Sequence, residues 1–148
     1  MTVAPERPLV ATRRGRDLVS AEDFRMLADF CADEYKMPLD IAELTMDEAL
    51  AMVYTMGVTR SGDTMAPSEA VDPGWHTLIL HTEWYADFCQ QQFGYFLHHK
   101  PNSKWRTSGL MVDVASKIEA AGFRVDRAMW KTRADCNPPA CCGDGPCC

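Results

Sequence analysis

Nowhere in the sequence do apolar residues run on for the ~18 positions that a membrane-spanning helix needs, and the opening MTVAPERPLVATRRGRDLV lacks the apolar stretch of a secretory signal. A cytoplasmic protein without a membrane partner is therefore expected. Also missing are an alternating apolar/polar run long enough to demand a sheet and any repeat at a fixed period, which argues against β-sandwiches, barrels and solenoids. Positive charge is in deficit: a formal net charge of -6 argues against a polyanion as partner of the whole molecule. Cysteine is scarce through most of the chain, with five of the seven confined to the last thirteen residues.

What is present suffices for one hydrophobic core, since 148 residues at 47% hydrophobic content bury one comfortably and two poorly. Residues 1–18 are proline-bearing and basic through Arg13, Arg14 and Arg16, and read as a flexible or loosely docked arm. The run SAEDFRMLADFCADEY places Ser20 as a helix cap, Asp23 at the reciprocal capping-box position, and Phe24, Leu27, Phe30, Cys31 and Tyr35 on one apolar stripe. A second start is read at Thr45-x-x-Glu48, leading a helix to about Thr59. Asp72 before Pro73 signals a third start, with the carboxylate as cap; a break or re-cap falls near Thr82, and Gly94 supplies the left-handed stop. The segment KWRTSGLMVDVASKIEAAG repeats the helical pattern up to Gly122, and a short helix or turn follows near Asp126 to Trp130. The expected fold is all-α: a small single-domain bundle of about four to five helices over residues 19–130. Residues 131–148 form a cysteine-rich tail, expected to be disordered because it lacks the apolar content to fold alone.

All four histidines, His76, His81, His98 and His99, lie between residues 72 and 99, beside Asp72, Tyr85 and Cys89. Asp72 and His76 are four apart and share a helix face, fit either to hold one cation or to form a carboxylate–histidine pair. His81, Tyr85 and Cys89 also recur at four, but the step from His76 to His81 turns roughly 140° on an ideal helix, so the two cannot meet one ion unless the helix breaks. The architectural reading of Asp72, Trp75 and His76 is preferred: a capping carboxylate, a buried indole and a hydrogen-bonded imidazole. Cys89 reads as core, the alternative being a nucleophile served by His98 or His99. Of those two adjacent histidines, only one turns inward easily.

The run Val71-Asp72, Trp75-His76, Ile79, Tyr85, Phe88-Cys89, Gly94, His98-His99 and Pro101 resembles the signature of the glycine-rich-domain-containing-protein-like family. That resemblance implies a helical domain of unknown function and brings no activity with it.

The closing CCGDGPCC holds the other candidate chemistry. Thiolates are soft ligands, so Cys141, Cys142, Cys147 and Cys148, joined by a turn-prone GDGP and backed by Cys136, could wrap one Zn(II) or collect Cu(I). A reducing cytosol disfavours a permanent disulfide among them. Asp72, His76, Cys89, His98 and His99 form a second candidate set of ligands. The expected function is a non-enzymatic cytosolic module whose tail binds soft metal ions or exchanges thiols with a partner protein. An alternative is a carrier whose C-terminal peptide is modified by maturation enzymes, motivated by the change of composition after about Ala134. A third reading, nucleic-acid association, rests on Lys100, Lys104, Arg106, Lys117, Arg124, Arg127, Lys131 and Arg133, residues that more often simply face solvent.

Overall fold

A helix apolar on nearly all sides belongs in the middle of a bundle, and the run from Leu39 to Thr59 is such a helix. In the computed structural model, which describes residues 13–62, 65–99 and 113–131, it is α2, with thirteen buried residues from Ala42 to Gly57. Around it pack α1 (Ala21–Tyr35), α3 (Asp72–Leu80), α4 (Thr82–Phe93) and α5 (Val114–Ala120), together with a 3-10 turn at Gly15–Leu18; a second 3-10 turn, Arg127–Trp130, packs on α5. The five α-helices form the expected all-α domain. Among the described residues the only ladder contact is an isolated bridge between Arg13 and Phe123.

Helix α1 starts where its cap residue predicts, with the Asp23 amide donating to Ser20 Oγ at 3.1 Å. The reciprocal half of the capping box is not made; the Asp23 carboxylate accepts from Trp84 Nε1 instead, at 3.1 Å, joining α1 to α4. Phe24, Leu27 and Cys31 of the predicted stripe are buried, whereas Phe30 and Tyr35 are half-buried.

Two starts differ from the sequence reading. Helix α2 begins at Leu39, directly after Pro38, so Thr45 and Glu48 lie inside it rather than at its cap, and both are buried. The S/T-x-x-E pattern arises there for another reason: Glu48 is a long-range acceptor, described below. Helix α3 begins at Asp72 with Val71 at the cap position, so the Asp72 carboxylate does not cap. The preceding turn is held by Ser68, whose Oγ accepts from the Val71 amide at 3.2 Å and donates to the Met129 carbonyl at 2.6 Å.

The break between α3 and α4 falls at His81, one residue before the expected Thr82, where φ -86 and ψ 69 leave the helical region. Gly94 ends α4 at φ 82, and Gly122 follows α5 at φ 100; both are left-handed stops that glycine adopts without strain. Helix α3 crosses α2 closely at Gly74: a Cβ there would sit 2.6 Å from the Ala49 Cβ and 2.9 Å from the Thr45 carbonyl. That crossing seats Trp75, Thr77 and Leu78 in the core.

From Arg13 to Leu18 the N-terminal segment packs against α2 and Phe123. The Arg16 side chain donates to both oxygens of Asp47, the closest contact 2.6 Å, and its amide donates to Asp47 at 3.0 Å. Residues 1–12 lie outside the described residues, as do Cys136, Cys141, Cys142, Cys147 and Cys148 and the cations Lys100, Lys104, Arg106 and Arg133.

Candidate functional site

The polar motif spans α3, the His81 break, α4 and the segment after Gly94, and these elements sort its residues into three environments. The first is core. Tyr85 and Cys89, four apart on α4, point inward at 1% and 0% exposure. The Tyr85 hydroxyl donates to the Leu97 carbonyl at 2.6 Å, pinning the 95–99 segment back over the helix. A second pin comes from Tyr95, whose hydroxyl donates to the Gly57 carbonyl at 2.7 Å. Burial pushes the Tyr85 phenol and the Cys89 thiol up, so both stay protonated at neutral pH. A thiol so held is a poor nucleophile and a poor ligand, and the same applies to Cys31, whose thiol burial also pushes up.

The second environment is the His81 corner. His81 Nδ1 donates to the Thr77 carbonyl at 2.8 Å, and the ring meets Phe30 of α1 edge-on at 4.8 Å. This histidine therefore closes the end of α3, and the break turns it away from Tyr85 and Cys89 despite the four-residue spacing.

The third environment brings distant residues together at the surface. His76 Nδ1 lies 3.3 Å from Asp72 Oδ2, the i, i+4 pair the spacing predicts, with both side chains about a third exposed at 39% and 32%. On its other edge, His76 Nε2 lies 3.3 Å from Nε2 of His99, a residue from the pinned 95–99 segment. The His99 ring rests on the indole of Trp75, centroids 4.6 Å apart. His98, its neighbour, turns outward against Phe96 at 4.7 Å. One of the adjacent histidines thus faces in and the other out, as chain geometry requires. Of the second ligand set, the fold assembles Asp72, His76 and His99 and separates them from Cys89 and His98. Among the described residues, no group of three or more His, Cys, Asp or Glu side chains is placed to hold a metal ion.

Sequence reasoning missed a different polar cluster. Glu48 of α2, 4% exposed, accepts from Trp130 Nε1 at 2.7 Å and from the Asp126 amide at 2.9 Å, across some eighty residues of chain. Burial pushes its carboxyl up, and the two donors offset only part of that. Next to it, Asp47 carries the Arg16 pair. A cleft of about 440 Å³ opens beside this corner, between Arg14, Glu48, Arg124 and Arg127. Arg127 pairs at the surface with Asp113 and Glu119, its closest contact 2.8 Å. A second cleft, about 520 Å³, lies between the first turn and α4, lined by Asp17, Asp23, Asp87 and Trp84. Trp84 stacks on Phe88 there at 5.1 Å, and its N–H is taken by Asp23.

A small all-α domain in which Asp72, His76 and His99 stand in successive 3.3 Å contacts is the class these observations define. Residues 42–113, a little under half of the chain, match the model of an uncharacterised family described as UCP032817-like. The matched span covers every residue of the motif just described. No curated protein and no solved structure matches the chain. The likeness shown is thus to a family of unknown function.

Proposed function

We propose that the chain is a non-enzymatic helical module whose sulfur-dense C-terminal segment binds soft metal ions, Zn(II) or Cu(I), or exchanges thiols with a partner protein. The observation that carries this reading is the segregation of sulfur. Five cysteines occupy the last thirteen residues, while the two inside the fold are buried and burial holds their thiols protonated. Thiols placed in a core serve packing; free thiols crowded into a short, polar segment are prone to oxidise and cross-link unless something engages them. Such a module suits a reducing compartment such as the cytosol. Membership of the glycine-rich-domain-containing-protein-like family, carried by Asp72, Trp75-His76, Tyr85, Cys89 and His98-His99, belongs to the same proposal.

The test is a titration of the anaerobically purified full chain with Zn(II) and with Cu(I), beside a variant in which Cys136, Cys141, Cys142, Cys147 and Cys148 are all serine. Thiolate-bound ions should be lost with the sulfurs, together with the sulfur-to-Cu(I) charge-transfer absorption. Equal binding of both ions by the two proteins, with equal rates of disulfide exchange, ends the proposal.

One further observation favours a second reading: composition changes abruptly after Ala134, from helix-forming residues to a short Cys/Pro/Gly segment. In that reading the folded domain is a carrier and maturation enzymes modify the segment. Intact-mass analysis of protein from its native host distinguishes the two, since an unmodified, uncleaved chain in cells that make the partner enzymes excludes a carrier.

A further inference from the structure

We propose that His76 and His99 form a two-imidazole binding site for a divalent first-row ion of the zinc and copper class, with Asp72 orienting His76 from behind. The site is separate from the cysteine segment and needs none of its sulfurs.

The geometry points to it in four ways. The two Nε2 atoms lie 3.3 Å apart. Ligand nitrogens about 2.0–2.1 Å from a tetrahedral ion are separated by about 3.3 Å, so the pair already stands at the bite of such an ion. Behind His76, Asp72 Oδ2 at 3.3 Å from Nδ1 favours the tautomer with its proton on Nδ1, which leaves the Nε2 lone pair outward. His99 is positioned by its contact with Trp75 and by the Tyr85–Leu97 hydrogen bond two residues upstream, so little ordering remains to be done on binding. Finally, His76 is 39% exposed, which gives an ion entry and gives water room to complete its coordination.

With the His76 proton on Nδ1, the hydrogen of the Nε2–Nε2 contact is carried by His99; on binding, each Nε2 donates its lone pair to the ion and that hydrogen moves to Nδ1 of the same His99 ring, a buried atom. Imidazole nitrogen suits Zn(II), Cu(II) and Ni(II), and within this series Cu(II) binds tightest. Other nearby candidates are out of reach: His98 rests on Phe96, and Cys89 is 0% exposed.

The experiment uses the full chain carrying the five Cys→Ser changes at positions 136, 141, 142, 147 and 148, so that its outcome is independent of the cysteine proposal. Cu(II) and Zn(II) are titrated at neutral pH, and the Cu(II) form is examined by electron paramagnetic resonance. The expected result is one ion per chain, with the superhyperfine signature of two imidazole nitrogens. Asp72→Asn should weaken binding about tenfold or more. His76→Gln and His99→Phe should weaken it further and erase the two-nitrogen signature. His98→Gln should change nothing. Thermal melts check that each variant is folded; if His99→Phe is not, His76→Gln and Asp72→Asn at their half-exposed positions carry the test. Absence of binding, or binding that survives His76→Gln with its signature intact, overturns the proposal.

Discussion

Two polar corners of the molecule invite comparison, because each ties together stretches of chain far apart in sequence and only one is closed. At the Asp47–Glu48 corner the carboxylates are 7% and 4% exposed, with hydrogen bonds between 2.6 and 3.1 Å. At the Asp72–His76–His99 corner the contacts are 3.3 Å and the side chains of His76 and Asp72 keep about a third of their surface. Short bonds in a low-dielectric interior are costly to break and leave nothing over for a ligand. Longer contacts at a half-exposed surface cost little to exchange. The first corner holds the fold; the second is where the proposed ion would bind.

Breaking the buried corner should have the largest effect. Glu48→Ala strands the Trp130 indole N–H and the Asp126 amide and leaves a void, so chemical denaturation should show a loss of about 2–4 kcal/mol. A loss below about 1 kcal/mol would mean that water readily takes over both donors. Asp47→Ala removes the acceptor of four Arg16 contacts at a rim where the Arg16 side chain is 36% exposed. A somewhat smaller loss, about 1.5–3 kcal/mol, is expected in the same assay, with faster proteolysis before Gly15. An unchanged cleavage rate would show that the arm is held by something other than this pair.

The comparison sharpens with pH. Burial pushes the Glu48 carboxyl up, so the folded protein keeps that proton to higher pH than the unfolded chain does. The stability Glu48 contributes is full below the ordinary carboxylate range and is lost as pH rises through its raised value. Glu48→Gln does not titrate, so the stability of this variant minus that of the wild type should climb from acid to neutral pH. A flat difference in urea midpoints across that range contradicts the assignment. Smallest of all should be the cost of opening the exposed corner: His76→Gln should change stability by about 0.5 kcal/mol or less. A larger loss would make His76 part of the fold's support and erase the contrast between the two corners.

Much of the fold was legible because its signals are local. Ser20 caps α1, Gly94 ends α4, and Gly122 follows α5, each through conformational preferences that act within a turn. The misread starts were local signals overruled by distant partners. Thr45-x-x-Glu48 has the spacing of a capping box, yet Glu48 is used by Trp130, and no window of sequence around α2 reveals that. Asp72 before Pro73 looks like a cap, but Ser68 had already satisfied the turn, leaving the carboxylate to His76. At the candidate site the same division holds. The Asp72–His76 pair follows from helical spacing alone, whereas the approach of His99 depends on how Tyr85 and Tyr95 fold the 95–99 segment back. That is a tertiary event, and the only hint of it in sequence was that His98 and His99 cannot both face inward.

The Trp130–Glu48 bond also fixes a point of departure. Cys136 follows Trp130 by six residues and Cys148 by eighteen. A chain spans at most about 3.6 Å per residue, so Cys136 lies within about 22 Å of the Trp130 backbone and Cys148 within about 65 Å. Any ion or protein that the sulfurs engage, as proposed, is therefore held within that distance of the middle of α2, where Glu48 takes the Trp130 indole N–H, and this bounds which faces of the bundle it can meet.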